Sequence, residues 1–144
     1  MRYFDSGVLL KLYLPEPNAA QAIARVQECW GQSPVLTPLH LLEMRSAIRQ
    51  KHGRKEVTRD ECQTLLDAFQ RDIESGFYVL IEPAWCRVFK RAEWLSEQYA
   101  ISTLCRSLDT LHVALALELE AVEFCSFDHR QAAMARLAGL TVIS

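Results

Sequence analysis

Short apolar runs alternate along this chain with longer segments of helical periodicity. The first run ends at Asp5 and is followed by a small-residue turn and a second apolar segment, which predicts a strand leading into a helix. Four later runs also predict strands, at residues 35–37, 77–81, 122–127 and 141–143. Because no tight hairpin joins consecutive strands, the pattern predicts crossover connections and a mostly parallel sheet of about five strands with helices on both faces.

Between the strands, apolar residues recur at helical spacing. The predicted helices follow Asp5 and then span residues 18–30, 39–51, 58–76, 83–99, 108–119 and 130–137. Asn18 and Ser107 are expected to cap two of these helices, and Thr58 with Glu61 has the pattern of a capping box. The run at 77–81 is apolar throughout, as expected for a buried parallel strand.

Composition bounds the class of protein without choosing a function. The 144 residues suffice for one domain, which we expect to span residues 1–144, and 50% hydrophobic with 24% charged residues is ordinary globular usage. The net charge of -2 and the pI near 6.1 exclude a uniformly basic nucleic-acid-binding protein. The sequence shows no leader peptide and no apolar run of membrane-spanning length, so a cytoplasmic location is expected. Five cysteines without a C-x-x-C pair predict reduced thiols.

Four acidic residues stand where parallel α/β folds place their sites. Asp5 and Asp128 end predicted strands. Glu43 lies in the first turns of the helix after the second strand, and Asp109 opens another helix. Such positions can converge at one edge of a parallel sheet, where carboxylates repel one another unless a cation neutralises them. Hard oxygen ligands suit Mg²⁺ or Mn²⁺, which can activate water and stabilise charge on a phosphoryl group, as in nucleases.

Each acid also has an ordinary structural explanation. Aspartate is common at helix N-termini, where its carboxylate caps amide groups and interacts favourably with the helix dipole. Glu43 differs, because it lies among apolar neighbours while Arg45 and Arg49 carry the outward charge of its helix. A carboxylate facing a core needs a partner or a metal.

Two histidines and a group of aromatic residues leave other interpretations open. His40 lies three residues before Glu43, and His112 lies one helical turn after Asp109, which would allow a zinc or di-iron site. The sequence lacks the repeated Glu-x-x-His pairs of di-iron bundles, and a histidine at a helix packing position is commoner. The aromatic residues at 83–99 could form a dimer or partner face, although such stripes more often belong to a core.

Four segments, in order and spread over nearly the whole chain, carry a recognisable pattern. They are Tyr3 to Leu12, Leu42 to Ile48, Arg106 to Ala114, and Ser126 to Arg130 followed by Gly139 to Val142. In this order and spacing they resemble the PIN-domain ribonucleases, specifically the VapC-type toxins. The resemblance implies a three-layer α/β/α sandwich, Mg²⁺- or Mn²⁺-dependent endoribonuclease activity on RNA, inhibition by a cognate antitoxin protein, and a homodimer.

By position, the resemblance assigns four acids to catalysis and to metal binding: Asp5, Glu43, Asp109 and Asp128. Asp5 and Asp109 are the expected direct ligands, and either of the other two could bind metal through water or orient the nucleophile. Ser6 and Ser126 are expected to support the ligands. The family usually has Ser or Asn where this chain has Gly7, so one supporting hydrogen bond is expected to be missing.

A local excess of basic residues predicts where RNA phosphate binds. Between positions 45 and 59 there are six basic residues and one acid, in a chain that is acidic overall. Arg45 and Arg49 in this segment, and Arg106 near Asp109, are candidates for contacting substrate or antitoxin. A solvated helix end would have a similar composition, because cations are favoured near helix C-termini.

Two other functional classes share some of these features. A phosphotransferase or receiver-type domain could use Asp5 or Asp128 as a phosphate-accepting nucleophile, but haloacid-dehalogenase-like enzymes need a second Asp where Gly7 stands. A non-catalytic PIN-like module could keep the fold and bind RNA or a protein. Such a scaffold has no reason to retain four mutually repelling acids.

Overall fold

The computed structural model describes residues 1–29 and 31–144, in which short strands alternate with helices. The strands are β1 (Arg2–Phe4), β2 (Val35–Leu36), β3 (Val79–Leu80), β4 (Glu123–Cys125) and β5 (Thr141–Ile143). The helices are α1 (Ser6–Leu10), α2 (Ala19–Gln27), α3 (Pro38–Gly53), α4 (Arg59–Glu74), α5 (Trp85–Thr103), α6 (Ser107–Glu118) and α7 (His129–Leu137). This alternation confirms the predicted α/β fold class.

The described chain forms two compact units. The first unit contains residues 1–5 and 82–144, and the second unit contains residues 6–81. The strands are all paired in parallel, as predicted, in a group of three in the first unit and a group of two in the second. A single domain over residues 1–144 stays a prediction.

Strand β4 lies between β1 and β5 in the sheet of the first unit. Phe4 pairs with Cys125, and Cys125 pairs with Ile143, so the carboxyl ends of the three strands are level. The backbone amide of Asp5 extends this ladder by donating to the carbonyl of Cys125 at 3.1 Å. The register therefore brings the residues that follow β1 and β4 to the same edge of the sheet.

The core of the first unit combines this sheet with α5, α6 and α7, which pack against one another. Helix α6 is buried all round from Thr110 to Ala116, so it lies inside the core and not on its surface. Tyr3 stacks on Phe124 with ring centroids 5.6 Å apart. The Tyr3 hydroxyl also hydrogen-bonds to Nδ1 of His112 at 2.7 Å, and His112 is 2% exposed. This histidine has the packing position that the sequence favours over ligation.

Two helix starts in the first unit differ from the prediction. Helix α5 begins at Trp85, two residues beyond Pro83, and continues to Thr103 instead of ending near residue 99. Ser107 is the first residue of α6 and not its cap, because Arg106 occupies the N-cap position and contributes no side-chain cap bond there. The sequence locates both helices correctly and misplaces their ends, since the cap depends on backbone angles that composition does not reveal.

Helix α3 of the second unit packs against α1 and α4. Phe69 of α4 is fully buried, and the rings of Tyr13 and Tyr78 meet it edge-on with centroids 5.5 Å and 5.8 Å away. The Tyr13 hydroxyl donates to Asp72 at 2.5 Å and lies 3.0 Å from the Tyr78 hydroxyl. Burial, with these hydrogen bonds, raises the pKa of Tyr13 far above its usual value, so the phenol stays protonated.

Strand β3 is exposed, and the prediction of a buried strand at 77–81 is wrong in this respect. Val79 and Leu80 are 46% and 56% exposed, and Tyr78 is the buried side chain of the run. In the described residues β3 has two residues and one paired neighbour, β2, so its apolar side chains are not enclosed. A continuous apolar run therefore located the strand but not its environment.

Helix ends in the second unit give a mixed result. The capping box at Thr58 is confirmed: the Glu61 amide donates to Thr58 Oγ1 at 3.1 Å, and the Thr58 amide donates to Glu61 Oε2 at 2.7 Å. Asn18 precedes α2 as predicted, but its backbone is left-handed with φ 67° and its side chain makes no cap bond. Helix α2 ends at Gln27, before the predicted end near Trp30, which lies outside the described residues.

None of the five cysteines, all of which lie in the described residues, forms a disulfide. Among the helices of the described residues, none combines the length and apolar character needed to cross a bilayer.

Candidate active site

Asp5 follows β1 directly and is 6% exposed. The parallel pairing of β1 with β4 fixes its backbone, because its amide is bonded to the carbonyl of Cys125. A carboxylate this deeply buried is stable only with hydrogen-bond partners or a nearby cation. The predicted position of Asp5 at the carboxyl end of a strand is confirmed.

Asp128 is half-buried and is the N-cap residue of α7. Strand β4 ends at Cys125 and does not reach residue 127 as predicted, because the chain turns through Ser126 into the helix. Oδ1 of Asp128 accepts a hydrogen bond from the Gln131 amide at 2.8 Å, as an N-cap does. The Asp128 amide donates to Ser126 Oγ at 3.0 Å, and Ser126 is fully buried. One carboxylate oxygen therefore has a structural role.

Asp109 lies in the first turn of α6, with its side chain 18% exposed. Arg106 Nε donates to Asp109 Oδ2 at 2.9 Å, and the hydrogen bond raises the pKa of Arg106. Burial raises the pKa of the Cys105 thiol, and the charges of Asp109 and Asp128 act in the same direction. One thiol is affected by both carboxylates, so the two aspartates share a neighbourhood of negative charge.

Gln131 joins these two aspartates, although no motif in the sequence pointed to it. Its side chain is 1% exposed, its Oε1 accepts from Ser126 Oγ at 2.7 Å, and its Nε2 donates to the backbone carbonyl of Asp109 at 3.2 Å. A signal was present, because Asp128 and Gln131 have the spacing of a capping box. In such a box the glutamine would accept from the N-cap amide. Here that amide bonds to Ser126, and the glutamine side chain reaches Asp109.

Glu43 belongs to the second unit, where it is half-buried on α3. Ser6 Oγ donates to Glu43 Oε2 at 2.6 Å, and Ser6 is 8% exposed. The partner that the sequence requires for this carboxylate is therefore a hydroxyl on α1. Gly7, where the family usually has a polar side chain, follows Ser6 in α1 and is exposed.

The basic segment at 45–59 is partly neutralised by acids in the same unit. Lys51 Nζ lies 3.0 Å from Glu16 and 2.9 Å from Glu56, and Arg54 Nε lies 2.7 Å from Glu56. The hydrogen bonds from Arg54 and Lys51 lower the pKa of Glu56 to about 2. The local positive charge is therefore smaller than the sequence count suggests.

The three arginines predicted to contact RNA or antitoxin have different surroundings. Arg45 donates to Gln70 at 3.0 Å and lies 6.0 Å from the centre of the Phe69 ring. Arg49 is exposed on α3. Arg106 has a side chain that is 74% exposed while it holds Asp109. Arg106 is thus the candidate with a direct contact to a predicted catalytic acid.

Both histidines considered as ligands are used in hydrogen bonds of the fold. His40 Nδ1 accepts from the Thr37 amide at 3.1 Å in the cap of α3, and His112 bonds to Tyr3. Over residues 1–29 and 31–144, no three His, Cys, Asp or Glu side chains are already arranged to hold a metal ion. The aspartates of the first unit still offer carboxylate oxygens, which are the donors that hard divalent cations take.

A family model described as the PIN domain matches residues 2–137. The chain belongs to the PIN-domain family. PIN domains are generally nucleases. The match includes the first three segments on which the sequence resemblance rests and Ser126 to Arg130 of the fourth, and so includes Asp5, Glu43, Asp109 and Asp128.

Among solved structures, this PIN domain is similar to one described as the crystal structure of FitAcB from Neisseria gonorrhoeae, with a TM-score of 0.71. The two chains are 15% identical, and the match covers 100% of this chain and 97% of the other. Likeness at this level of identity shows the fold. No curated protein matches the sequence.

Proposed function

We propose that this PIN domain is a metal-dependent endoribonuclease that hydrolyses RNA phosphodiester bonds, and that it is the toxin of a type II toxin–antitoxin pair. The observation that carries the proposal is the hydrogen-bond network that links Asp109 and Asp128 in the first unit. Asp5 follows the strand that is paired with β4 of the same unit. Two aspartates linked by this network, with Asp5 following a strand of the same sheet, support nuclease chemistry within a PIN domain.

The aspartates of the first unit fit Mg²⁺ or Mn²⁺ in their donor chemistry, since both cations prefer carboxylate oxygens and water. We assign Asp5 and Asp109 as direct ligands, and Asp128 and Glu43 as residues that bind through water or orient the nucleophile. A divalent cation there would lower the pKa of water and offset charge on the phosphate.

The chain's own residues hold these acids in position. Ser126 accepts from the backbone amide of Asp128 at 3.0 Å, and Ser6 donates to the carboxylate of Glu43 at 2.6 Å, so each serine helps to hold one acid. Such partners orient metal ligands and commonly account for about 10–100-fold in affinity or activity. We therefore assign Ser6 and Ser126 a supporting role.

Arg106 is the residue best suited to bind the substrate phosphate. Its guanidinium is exposed and already paired with a carboxylate, and exposed ion pairs of this kind exchange partners at small cost. Planar guanidinium groups also match phosphate and carboxylate geometry. The same contact would serve a carboxylate of the antitoxin, and Arg45 and Arg49 are further candidates on α3. A cognate antitoxin and a homodimer are proposed from the resemblance to VapC-type toxins.

The test is RNA cleavage by purified protein freed of antitoxin, in Mg²⁺, in Mn²⁺ and in chelator. Asp5→Asn removes one charge without changing side-chain size, and we expect cleavage to fall at least about 100-fold. Asp60→Asn, at an exposed acid in the first turn of α4, is the matched control and should cleave normally. Cleavage that persists in Asp5→Asn or in chelator would assign the activity to a contaminant and overturn the proposal.

The absence of a ready three-residue metal group in the described residues favours a second candidate, a non-catalytic module that binds RNA or a protein. Calorimetry separates the two functions. Binding of Mn²⁺ to the wild type supports the nuclease, whereas RNA binding with neither Mn²⁺ binding nor cleavage supports the module.

A further inference from the structure

A continuous chain of hydrogen bonds runs through the first unit from the backbone of Asp128 to the backbone of Asp109. The Asp128 amide donates to Ser126 Oγ at 3.0 Å, and Ser126 Oγ donates to Gln131 Oε1 at 2.7 Å. Gln131 Nε2 then donates to the Asp109 carbonyl at 3.2 Å. Ser126 and Gln131 are 0% and 1% exposed, so water does not compete at these positions.

The chemistry of the partners determines the direction of every bond in this chain. A backbone carbonyl only accepts, so the NH₂ group of Gln131 must face Asp109 and its oxygen must face Ser126. The Ser126 hydroxyl must then give its proton to Gln131, because the Gln131 Oε1 facing it can only accept. Reversing the Gln131 amide would set its oxygen against the Asp109 carbonyl, two acceptors with no proton between them, and that hydrogen bond would be lost. The side chain therefore has one favourable orientation.

The result is a link between two segments whose side chains repel. Asp109 is in the first turn of α6, and Asp128 caps α7 after a separate strand. Gln131 contacts both segments. Its backbone amide donates to Asp128 Oδ1 at 2.8 Å, and its side-chain Nε2 donates to the backbone carbonyl of Asp109. The two carboxylates repel each other, and the exposed guanidinium of Arg106, which is paired with Asp109, offsets only part of that repulsion. Gln131 opposes the separation that this repulsion favours, without contributing any charge of its own.

We propose that Gln131 is a positioning residue that sets the spacing of Asp109 and Asp128 for divalent-cation binding. The proposal rests on the nuclease function proposed above, and it concerns a side chain that would not touch the cation. Gln131 acts through Ser126 and through the α6 backbone, so its contribution depends on both being present.

Mn²⁺ binding followed by electron paramagnetic resonance, without RNA, is the measurement. Gln131→Met keeps the length and approximate volume of the side chain but removes both side-chain hydrogen bonds, and we expect about tenfold weaker Mn²⁺ binding. Gln131→Asn keeps the amide but is one methylene too short to reach both partners, and it should weaken binding similarly. It also serves as the second variant if the methionine variant does not fold. Gln63→Met, at an exposed glutamine of α4, is the matched control and should bind Mn²⁺ normally.

Ser126→Ala tests the route of the effect. If Gln131 acts through Ser126, the two substitutions remove the same effect. The double variant Ser126→Ala, Gln131→Met should then bind Mn²⁺ only slightly more weakly than whichever single variant binds it less tightly. Val88→Ala removes buried apolar contacts in α5 of the same unit and should leave Mn²⁺ affinity unchanged although it lowers thermal stability. A structural role alone would make Mn²⁺ affinity follow stability in all of these variants.

Four outcomes overturn the proposal. If Gln131→Met binds Mn²⁺ as tightly as the wild type, Gln131 has no positioning role. The same follows if the loss of Mn²⁺ affinity in the double variant equals the product of the two single losses. In both cases the proposed nuclease function stands. If Val88→Ala weakens Mn²⁺ binding as much as Gln131→Met does, the loss of affinity comes from lower stability and not from positioning. No Mn²⁺ binding by the wild type removes the metal-dependent function, and this proposal falls with it. Weak binding confined to the Gln131 and Ser126 variants, without additivity, supports it.

Discussion

Replacing Asp128 by asparagine and, separately, by alanine separates its helix-capping role from its proposed catalytic role. Asparagine caps a helix about as well as aspartate, so Asp128→Asn keeps the bond to the Gln131 amide and loses only the charge. Alanine loses both. The proposed catalytic role needs the charge, whereas the cap needs only an oxygen at the right position.

The structure allows the stability changes to be estimated. Losing the charge at the α7 N-terminus costs about 0.3–1 kcal/mol, and relief of repulsion with Asp109 offsets part of that cost. Losing the cap costs about 1 kcal/mol more. With an unfolding entropy of about 2.1 cal/mol/K per residue, 1 kcal/mol shifts the Tm of a 144-residue chain by about 3 °C. We therefore expect Tm to fall by about 1–3 °C in Asp128→Asn and by about 4–6 °C in Asp128→Ala.

Circular dichroism without divalent cation gives the Tm, and single-turnover cleavage of labelled RNA at saturating Mn²⁺ gives the activity. Both variants should cleave at least about tenfold more slowly than the wild type although their stabilities differ. Thr58→Ala is the control, because it removes the equivalent cap of α4 in the second unit and should lower Tm without affecting cleavage. Wild-type cleavage by Asp128→Asn would refute the need for the charge. Equal Tm losses in the two variants would refute the capping argument.

Two further predictions concern interactions that do not involve the four proposed catalytic acids. Tyr3→Phe removes the buried 2.7 Å hydrogen bond to His112, which should cost about 1–3 kcal/mol of folding free energy and lower Tm by about 3–9 °C. Mn²⁺ affinity measured by calorimetry should not change, and weaker Mn²⁺ binding would instead connect His112 to the metal site. The pKa of Glu56 is about 2 in the folded protein and 4.5 ordinarily, so its stabilising contribution is complete above pH 4.5 and is lost as pH falls towards 2. Glu56→Gln should therefore lower Tm at pH 7 and lose less Tm than the wild type on acidification, and parallel Tm curves would contradict this.

Periodicity predicted the order and type of the elements because each helix or strand buries a pattern that its own residues carry. Environment was harder to predict. The run at 77–81 is apolar like a central strand, yet Val79 and Leu80 are exposed because β3 has a single paired neighbour in the described residues. Helix α6 shows the opposite case, since residues 110–116 are buried on every side while the sequence suggested one apolar face. Burial is decided by which elements pack together, and a local pattern does not contain that information.

Positions in the candidate site were predictable where they depend on a residue's place in its own element. Asp5 could be placed because it ends a strand, whereas Ser126 was assigned from the resemblance to the VapC-type toxins. Gln131 was missed because its side-chain role depends on a contact with Asp109, 22 residues away. The spacing between Gln131 and Asp128 is present in the sequence, but on its own it predicts a local capping box. The contact between the Gln131 side chain and Asp109 appears only in the fold.

The ion pair between Arg106 and Asp109 bears on whether the first unit is prepared for a cation. A divalent ion bound through Asp109 must compete with Arg106 for the same carboxylate. The Arg106 side chain is 74% exposed and lies three residues from Asp109 on the helix surface, where water and salt weaken the attraction. The main-chain carbonyl of Asp109 is held separately by Gln131, so releasing the arginine does not release the segment. Arg106, the partner that Asp109 can exchange, is thus on the surface, and Gln131, the partner that stays bound, is buried. This arrangement suits the ligand role proposed for Asp109, because the segment can keep its position when the carboxylate exchanges Arg106 for a divalent ion.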